Sequence, residues 1–267
     1  MSLTRSWMRC AWSFGSLIPS ASIWIIGMSL LISAISSCVA SRRMELAIVT
    51  VMHGRHALTR LWAEYTVGLG LPVFAAFTAG DDTLRAICEE FGIWHIACPN
   101  EPLGAKHNAA LDLCGADRVM LVPSDDFIAP AWVDKVRDTQ APYLYPDSCG
   151  LLDVKTSRAC VLRHHGPGVR KFGAGRVISR EVIDRVGTLW SDDKGRGLDT
   201  DSHGRIVGAG FQLQEAGIGG VPVVDIKTGD NLWPFDRFCR GSAVKCSADD
   251  VIGALSPEFK ERILALC

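Results

Sequence analysis

The sequence lacks several features that would assign the protein to a class at once. No Cys-x-x-Cys pair occurs among its 267 residues, which argues against a structural zinc site. It has no internal repeat and no low-complexity tract, which argues against a solenoid. It also has no excess of positive charge, since 28 basic residues stand against 29 acidic ones. A surface that binds a polyanion over its whole extent is thereby excluded, and any contact with nucleic acid must be local.

Cysteine is present but has no pattern. The ten cysteines follow no regular spacing, and a chain of this length can bury a core large enough to fold without disulfide bonds. We therefore expect free thiols and a reducing, cytoplasmic location.

The first 43 residues differ from the rest of the chain. Their charged residues are all basic, namely Arg5, Arg9, Arg42 and Arg43, which leaves 24 basic and 29 acidic residues in the remainder. Residues 10–41 carry no charge, and residues 21–40 are rich in Ile, Leu and Ala. Twenty such residues are long enough to cross a hydrocarbon core as a helix.

Three interpretations of residues 1–43 stay open. They are a membrane anchor, whose flanking arginines indicate no orientation, a cleaved signal peptide, or an extension that comes from too early a start codon. Met44 stands directly before an apolar run, residues 45–51, that predicts a first strand. We therefore expect one domain over residues 44–267, with a membrane as partner only if the extension is an anchor.

From residue 44 the hydrophobic pattern alternates between strands and helices. It predicts strands over residues 46–52, 72–78, 93–97 and 118–123, and helices over residues 56–68, 83–91 and 102–113. The first helix places Leu58, Leu61, Trp62 and Tyr65 on one face, and Gly92 is a plausible end for the second. This order predicts an α/β fold with a doubly wound, mostly parallel sheet. After about residue 141 the pattern loosens, which we interpret as an acceptor-side subdomain on the same sheet.

The segment 100–132 carries the strongest chemical signal. The predicted helix contains Gly104, Lys106 and Asn108, and the apolar run that follows it stops at two adjacent carboxylates, Asp125 and Asp126. Open α/β sheets bind ligands beyond the carboxyl ends of their strands. Paired carboxylates at that place can hold a divalent cation, and the cation can hold a diphosphate.

This layout resembles the nucleotide-sugar-binding half of family 2 glycosyltransferases, which have the GT-A fold. The resemblance implies Asp126 as a metal ligand for Mn²⁺ or Mg²⁺ and Asp125 as a contact to the ribose. It implies that Lys106, in place of the family's arginine, offers a point charge to a phosphate, that Asn108 bonds the donor, and that Gly104 opens an anion site at the helix start. Ser124 stands where the family has its first acid, which weakens the metal prediction.

Further donor contacts are implied at the ends of the first two strands. Thr50, His53 and Arg55 follow or end the first strand, where the family holds the nucleotide base, and Asp81 follows the second. An ordinary turn explains the first three residues equally well, and a helix N-cap explains Asp81. Lys227 stands near the position of the family's late histidine ligand, where it would neutralise a diphosphate without a metal.

The resemblance implies a catalytic base in the segment 189–206. Asp199 lies six residues before Arg205, as the acid of the family's Glu-Asp motif does, but Leu198 replaces the glutamate. Asp201 therefore competes for the same role, and both acids are also explained as residues of a helix start.

One stretch of the chain is strongly basic. It comprises Arg158, Arg163, His164, His165, Arg170, Lys171, Arg176 and Arg180. We interpret it as a solvated face, a diphosphate clamp, or a groove for a phosphate-bearing acceptor.

These features together predict an inverting glycosyltransferase that moves a sugar from a nucleotide-sugar donor to an acceptor hydroxyl. The segment before Asp199 is similar to glycosyltransferase-like proteins of tailed phages, which suggests a hydroxymethylated base in DNA as acceptor and the host cytoplasm as location. The alternatives are a nucleotidyltransferase, favoured by the Gly54-Arg55 turn, and a non-catalytic nucleotide- or carbohydrate-binding protein, favoured by Ser124 and Leu198. Nothing in the sequence indicates an oligomeric state.

Overall fold

The fold alternates short strands with helices, as the hydrophobic pattern predicts. The computed structural model describes residues 44–163, 173–229, 231, 233–239 and 243–266. The extension 1–43 lies outside these residues, so its three interpretations, and the domain boundary drawn from them, stay predictions. Within the described ranges, no helix combines the length and the apolar character that a membrane crossing requires.

The helices and strands of the described residues are numbered here in chain order. The strands are β1 Leu46–Met52, β2 Val73–Thr78, β3 Trp94–Cys98, β4 Arg118–Leu121, β5 Asp126–Ile128, β6 Tyr143–Pro146, β7 Ser148–Asp153, β8 Arg158–Arg163, β9 Val177–Ser179, β10 Gln214–Ala216, β11 Val223–Lys227 and β12 Val244–Cys246. The helices are α1 His56–Gly68, α2 Asp82–Glu90, α3 Leu103–Leu113, α4 Pro130–Arg137, α5 Arg180–Val186, α6 Leu198–Gly208, α7 Phe235–Phe238, α8 Ala248–Ile252 and α9 Pro257–Leu264.

The larger sheet has seven strands in the order β10-β6-β9-β4-β1-β2-β3. Strands β4, β1, β2 and β3 run parallel, and β9 is the antiparallel strand between β4 and β6. The chain leaves β1 towards β2 and β3 and then returns to the other side of β1 to form β4. The order of strands therefore reverses between β1 and β4, which is where doubly wound sheets bind ligands. This confirms the predicted α/β, doubly wound, mostly parallel fold class.

Both faces of the larger sheet are buried. Alternate residues of β1 belong to different hydrophobic clusters: Ile48 packs with Leu58, Leu61, Trp62 and Tyr65 of α1 on one face. On the other face Val49 packs with residues of α3 and α6, among them Ala110, Leu111 and Ile206. A strand covered on both sides needs an unbroken apolar run, and that run is what made β1 predictable from sequence.

A second sheet corrects the expected acceptor side. Five strands in the order β12-β8-β7-β11-β5 form a separate, mixed sheet, whereas we expected the later part of the chain to extend the first sheet. Only β6, β9 and β10 join the larger sheet from that region. Strand β5 begins at Asp126 and pairs antiparallel with β11. Asp126 therefore lies in the edge strand of the second sheet, whereas Ser124 and Asp125 form the turn before it.

A disulfide bond corrects the expectation of free thiols. Cys160, in β8, is bonded to Cys239, which directly follows α7. The other described cysteines, Cys88, Cys98, Cys114, Cys149 and Cys246, are free. Because disulfides persist mainly in oxidising compartments, the cysteines no longer support a cytoplasmic location.

Candidate functional site

Two of the predicted donor residues, Arg55 and Asp125, meet at the carboxyl ends of β1 and β4. The turn after β1 carries Gly54 and Arg55, both with left-handed backbone angles of 51° and 46° in φ. The turn after β4 carries Ser124 and Asp125. Arg55 forms an ion pair with Asp125 and also lies 3.5 Å from the Ser124 hydroxyl. The two turns are therefore joined by a charge-assisted contact at the point where the strand order reverses.

Asp125 is held as a carboxylate by its neighbours. Burial alone raises the pKa of Asp125, but the positive charges of Arg55 and Lys227 hold that pKa below its usual value. The Asn231 side chain donates a further hydrogen bond of 2.8 Å to Asp125 Oδ2. Asp125 is thus ionised, and its Oδ2 atom is bonded to both Arg55 and Asn231. It fixes Arg55 in place, and its contact to a ribose stays a prediction.

Asp126 and Asp225 form a second, less satisfied pair of carboxylates. They lie opposite each other in the antiparallel pairing of β5 with β11. Burial raises the pKa of Asp126 well above its usual value, and the nearby charges of Asp225 and Asp125 raise it further. Burial likewise raises the pKa of Asp225, although Lys227 contacts its other oxygen at 2.6 Å. The Oδ1 atoms of both residues are buried without a hydrogen-bond partner.

These two carboxylates are the residues that fit a divalent cation. Hard cations such as Mg²⁺ and Mn²⁺ take carboxylate oxygens and complete their coordination with water and phosphate oxygens. Two buried, unpartnered oxygens that face each other supply such ligands and lack any competing donor. Within the described residues, no group of three or more His, Cys, Asp or Glu is arranged to hold a metal, so a cation here would depend on the ligand for its remaining contacts.

Two side chains of helix α1 hold the backbone around Asp126 in place. The Trp62 indole donates to the Asp126 carbonyl oxygen at 2.9 Å, and the Tyr65 hydroxyl donates to the Ile128 carbonyl oxygen at 2.7 Å. Trp62 is fully buried. The aromatic face that the sequence assigned to the core therefore also sets the position of the acidic strand.

Lys106 is neither solvated nor aimed at an open crevice. Its side chain is buried and donates to the Met52 carbonyl oxygen at 2.6 Å, to Thr78 Oγ1 at 2.9 Å and to Asn100 Oδ1 at 3.2 Å. Burial lowers its pKa to about 8, although Cys98, Asp81 and Glu101 act in the other direction. The three bonds join the ends of β1 and β2 to Asn100, which follows β3. The predicted contact to a phosphate would require some of these bonds to break.

The start of helix α3 is covered by another part of the protein. A Cβ atom on Gly104 would lie 2.0 Å from the Ser191 carbonyl oxygen, and the Gly104 amide donates to the Lys194 carbonyl oxygen at 2.8 Å. The close approach that this glycine permits is therefore to the 191–194 loop and not to an anion. Asn108 serves the same contact, since its side chain donates to the Trp190 carbonyl oxygen at 2.8 Å and to Asp192 Oδ1 at 2.7 Å.

The remaining predicted donor contacts occupy the ends of β1 and β2. Thr50 is buried, with its hydroxyl 3.4 Å from the Val51 carbonyl oxygen. His53 is exposed and lies 3.2 Å from Thr78 Oγ1. Asp81 caps helix α2 by accepting from the Leu84 amide at 3.0 Å, as the capping interpretation predicted. Their part in binding a nucleotide base stays a prediction.

The two candidate bases differ sharply in their surroundings. Asp201 accepts from the Ser191 amide at 2.8 Å and from Lys194 at 2.5 Å, and contacts Arg205 at 3.4 Å. Burial would raise the pKa of Asp201, but these bonds lower it to about 2. Asp201 therefore serves to hold the 191–194 loop, and a group so stabilised in its ionised form is a weak base.

Asp199 is the more accessible acid. Half of its side chain is exposed, and its Oδ1 atom accepts a 3.0 Å bond from Arg176, whose side chain is fully buried. It lines a small cavity of about 30 Å³ together with the ends of β1 and β4, His107 and Trp190. Such a cavity has room for a water molecule or a single hydroxyl group. Pro123, two residues before Asp125, also lines the cavity. Asp199 therefore lies at the same edge of the sheet as the acidic cluster, which consists of Asp125, Asp126 and Asp225.

The basic stretch does not act as one surface in the described part of the chain. Arg158 pairs with Asp236 and Asp153, Arg176 pairs with Asp199, and Arg180 donates to backbone carbonyl oxygens. Its members His164, His165, Arg170 and Lys171 lie outside the described residues. A single diphosphate clamp is therefore wrong for the three arginines named here.

Sequence analysis missed three residues of this site. Asp225 alternates with apolar residues along β11 and gave no sign that it faces Asp126. Asn231 follows Gly229-Asp230 in the sequence, a pattern typical of loops. Arg176 was counted with the basic stretch, because charge counting does not separate a buried arginine from an exposed one.

The fold and this edge of the sheet define an α/β protein whose charged side chains gather near the switch point of the larger sheet. No protein-family model matches the chain, and no curated protein matches its sequence. Among solved structures, the inositol-1-phosphate CTP transferase of T. maritima superposes with a TM-score of 0.48 at 11% identity, over 84% of this chain and 96% of that one. Rv0371c of Mycobacterium tuberculosis H37Rv gives 0.46 at 16% identity, over 70% and 95%, and one of its structures is a complex with manganese. S. aureus TarS gives 0.45 at 10% identity, over 84% and 70%. The chemistry of this chain is argued below from its own residues.

Proposed function

We propose that this chain is a transferase that binds a nucleotide-sugar donor and passes the sugar, with inversion, to an acceptor hydroxyl. The observation that carries the proposal is the position of Asp199. A half-exposed carboxylate, held by a buried arginine, stands at the carboxyl ends of β1 and β4, beside the acidic cluster. A base and a charged donor crevice on one sheet edge are the parts that an in-line displacement at a sugar carbon needs.

In this proposal each group has a definite task. Asp199 accepts the proton of the acceptor hydroxyl as the hydroxyl oxygen attacks the anomeric carbon, and the nucleoside diphosphate leaves on the opposite side. Arg55 and Lys227 supply positive charge next to the carboxylates Asp125 and Asp225. A divalent cation held by Asp126 and Asp225 would add charge that stabilises the leaving diphosphate.

The acceptor is the least constrained part of the proposal. An open depression of about 680 Å³ beside the start of helix α6 is lined by Lys194, Arg196 and Arg205, among other residues. Lys194 and Arg205 are paired with Asp201, and Arg196 lies over the Trp233 ring at 5.9 Å. This local basic and aromatic surface supports a phosphate-bearing acceptor such as DNA with hydroxymethylated bases.

The test begins with a panel of nucleotide sugars, screened by thermal shift with and without Mn²⁺. A donor that binds is then incubated with acceptors, including oligonucleotides that contain hydroxymethylated and unmodified bases, and release of nucleoside diphosphate is measured. Asp199→Asn should lower kcat by about 10²–10⁴-fold and leave donor binding unchanged, since a general base acts in the transition state. Asp201→Asn is the matched control, because it lies in the same helix turn and loses only its structural bonds. A large kcat loss in Asp201→Asn alone would move the base to that residue.

A nucleotidyltransferase is the second candidate. The observation that favours it is the left-handed Gly54-Arg55 turn, which directs a guanidinium from the end of β1 onto the acidic cluster. Such an enzyme joins a nucleoside triphosphate to a sugar phosphate and releases pyrophosphate. Assays that detect pyrophosphate and nucleoside diphosphate separately distinguish the two activities, and donor binding without either product would indicate a non-catalytic binding protein.

A further inference from the structure

Arg176 is the most completely buried charged side chain at the candidate site. It has no exposed surface, and it directly precedes β9. Its Nη2 atom donates to Asp199 Oδ1 at 3.0 Å, and its Nη1 atom donates to the Asp199 carbonyl oxygen at 3.3 Å and to the Tyr143 hydroxyl at 3.2 Å. Nε donates to the Gly173 carbonyl oxygen at 3.3 Å. A guanidinium costs much to bury, and two of the four bonds of this one go to Asp199, one to its carboxylate and one to its backbone.

Gly173 confines the same carboxylate from another side. A Cβ atom at this position would lie 2.1 Å from Asp199 Oδ1 and 3.1 Å from Oδ2, so only glycine leaves room for the carboxylate where it stands. Among the described residues, no hydrogen bond is made to Asp199 Oδ2. Arg176 and Gly173 therefore fix one oxygen of Asp199 and leave the half-exposed side chain with its second oxygen available to a ligand.

We infer that Arg176 is the positioning residue of the reaction: it holds Asp199 Oδ1 so that Oδ2 meets the acceptor hydroxyl. The inference rests on the proposed function, in which Asp199 is the base. It also explains why Asp199 and not Asp201 has that task. The Asp201 carboxylate is consumed by the backbone of Ser191 and by Lys194, whereas that of Asp199 is held at one oxygen by a side chain.

Three other titratable groups face this pair. His107 of α3 lines the same cavity, and burial lowers its pKa, so it is neutral at pH 7. Its Nδ1 atom lies 2.9 Å from the Leu103 carbonyl oxygen, which can only accept. Tyr143 of β6 bonds Arg176, and His203 of α6 lies 3.2 Å from the Tyr143 hydroxyl. Among the described residues, Arg176 is the charged side chain that contacts the Asp199 carboxylate, so its loss removes the bond that fixes Oδ1.

The experiment compares Arg176→Met and Arg176→Lys with wild type, using the donor and acceptor found by the screen. Arg176→Met should lower kcat by about 10²-fold, the loss expected when a reacting group shifts by about 1 Å, with the donor KM within twofold. Arg176→Lys should recover part of the lost kcat, because the lysine ammonium can still donate to Asp199 Oδ1.

The matched control is Arg180→Met. Arg180 lies four residues further on and donates to the backbone carbonyl oxygens of Cys114 and Ala116, so its loss removes comparable bonds with no link to Asp199. It should leave kcat as in wild type. An Arg176→Met enzyme with wild-type kcat, or with kcat lowered but no recovery in Arg176→Lys, would overturn the inference while the proposed function stands.

A crystallographic readout separates failure of the inference from failure of the function. If wild type turns over no donor, the proposed function is wrong, and the position of the Asp199 carboxylate then decides the inference. It should occupy one position in wild type and leave it, or take several, in Arg176→Met. If Arg176→Met does not fold, the same comparison is made with Arg176→Lys. A carboxylate that stays in place in the variant would overturn the positioning role.

Discussion

The buried ammonium of Lys106 can be tested through the pH dependence of the free energy of unfolding. Lys106→Met removes three hydrogen bonds, to Met52 at the end of β1, to Thr78 at the end of β2 and to Asn100 after β3. Because burial lowers the Lys106 pKa from 10.5 to about 8, the folded protein loses its proton at a lower pH than the unfolded chain does.

The sign follows from proton counting. Between pH 8 and 10.5 the unfolded chain retains a proton that the folded protein has released, so the free energy of unfolding rises with pH through this window. At about 1.4 kcal/mol per pKa unit, a shift from 10.5 to about 8 amounts to roughly 3 kcal/mol. Buried thiols act in the opposite direction, since burial raises the pKa of Cys88 to about 12, but they are present in the variant as well and cancel in the difference.

The assay is urea unfolding of wild type and Lys106→Met at intervals from pH 7 to 10.5. The free energy of unfolding of wild type minus that of the variant should increase by roughly 3 kcal/mol over this range. The value of this difference at pH 7 depends on the lost hydrogen bonds. A difference that stays flat, or that falls as pH rises, would refute the buried and desolvated state of this lysine. It would also restore the interpretation of Lys106 as an exposed phosphate ligand.

Three further predictions concern single side chains. Gly104→Ala places a methyl group 2.0 Å from the Ser191 carbonyl oxygen and should destabilise the protein by about 1–3 kcal/mol in urea unfolding; Gly204→Ala, which meets open space in a helix, should instead stabilise it by up to about 1 kcal/mol. Cys239→Ser opens a bridge between residues 79 apart and should cost at most about 4–5 kcal/mol, with the same loss on reduction of wild type and no loss if the thiols are free. Asp126→Asn should abolish any shift of melting temperature by Mn²⁺. Because the raised pKa of Asp126 makes its ionised form costly, the unfolding free energy of that variant in EDTA should match or exceed that of wild type above about pH 4; a marked loss would show that the carboxylate is satisfied.

The donor half was predictable because its signals are local. Helix α1, His56–Gly68, was predicted to the residue from the spacing of its apolar side chains, and β1, Leu46–Met52, from an unbroken apolar run. The neighbouring elements deviate by a residue or two, as in β2 and α2. In each of them the sequence pattern and the buried surface belong to the same short segment.

The second sheet was not predictable because its pairings are remote in sequence. Strand β11, Val223–Lys227, lies between Ser148–Asp153 and Asp126–Ile128, and each of these strands has at most six residues. Short strands carry little periodicity, and their side chains are interpreted only once the partner is known. The pairing of Asp225 with Asp126, and hence the centre of the candidate site, arises from that remote contact.

For the same reason, the family resemblance indicated candidate residues but did not predict which parts of the protein they contact. It implied donor contacts for Gly104, Asn108 and Lys106, which stay predictions, and the structure shows each of them in contact with other parts of the protein. Sequence order identifies the segment that approaches a site. The packing of the chain decides which partner a side chain contacts. Here Gly104 and Asn108 contact the 191–194 loop, and Lys106 contacts the strand ends, where the resemblance implied a donor.

The two facing carboxylates have a consequence for how the protein folds. Asp126 and Asp225 each bury an oxygen that has no hydrogen-bond partner. Burying these oxygens costs free energy in the folded protein, whereas water solvates them in the unfolded chain. Any cation or protonated ligand that binds there relieves this cost only in the folded protein, and its binding energy adds directly to the free energy of unfolding. The concentration of that ligand in the cell would then govern how much folded protein accumulates. A shift of the melting temperature on adding the ligand would report this gain in folded protein as well as the affinity of the site.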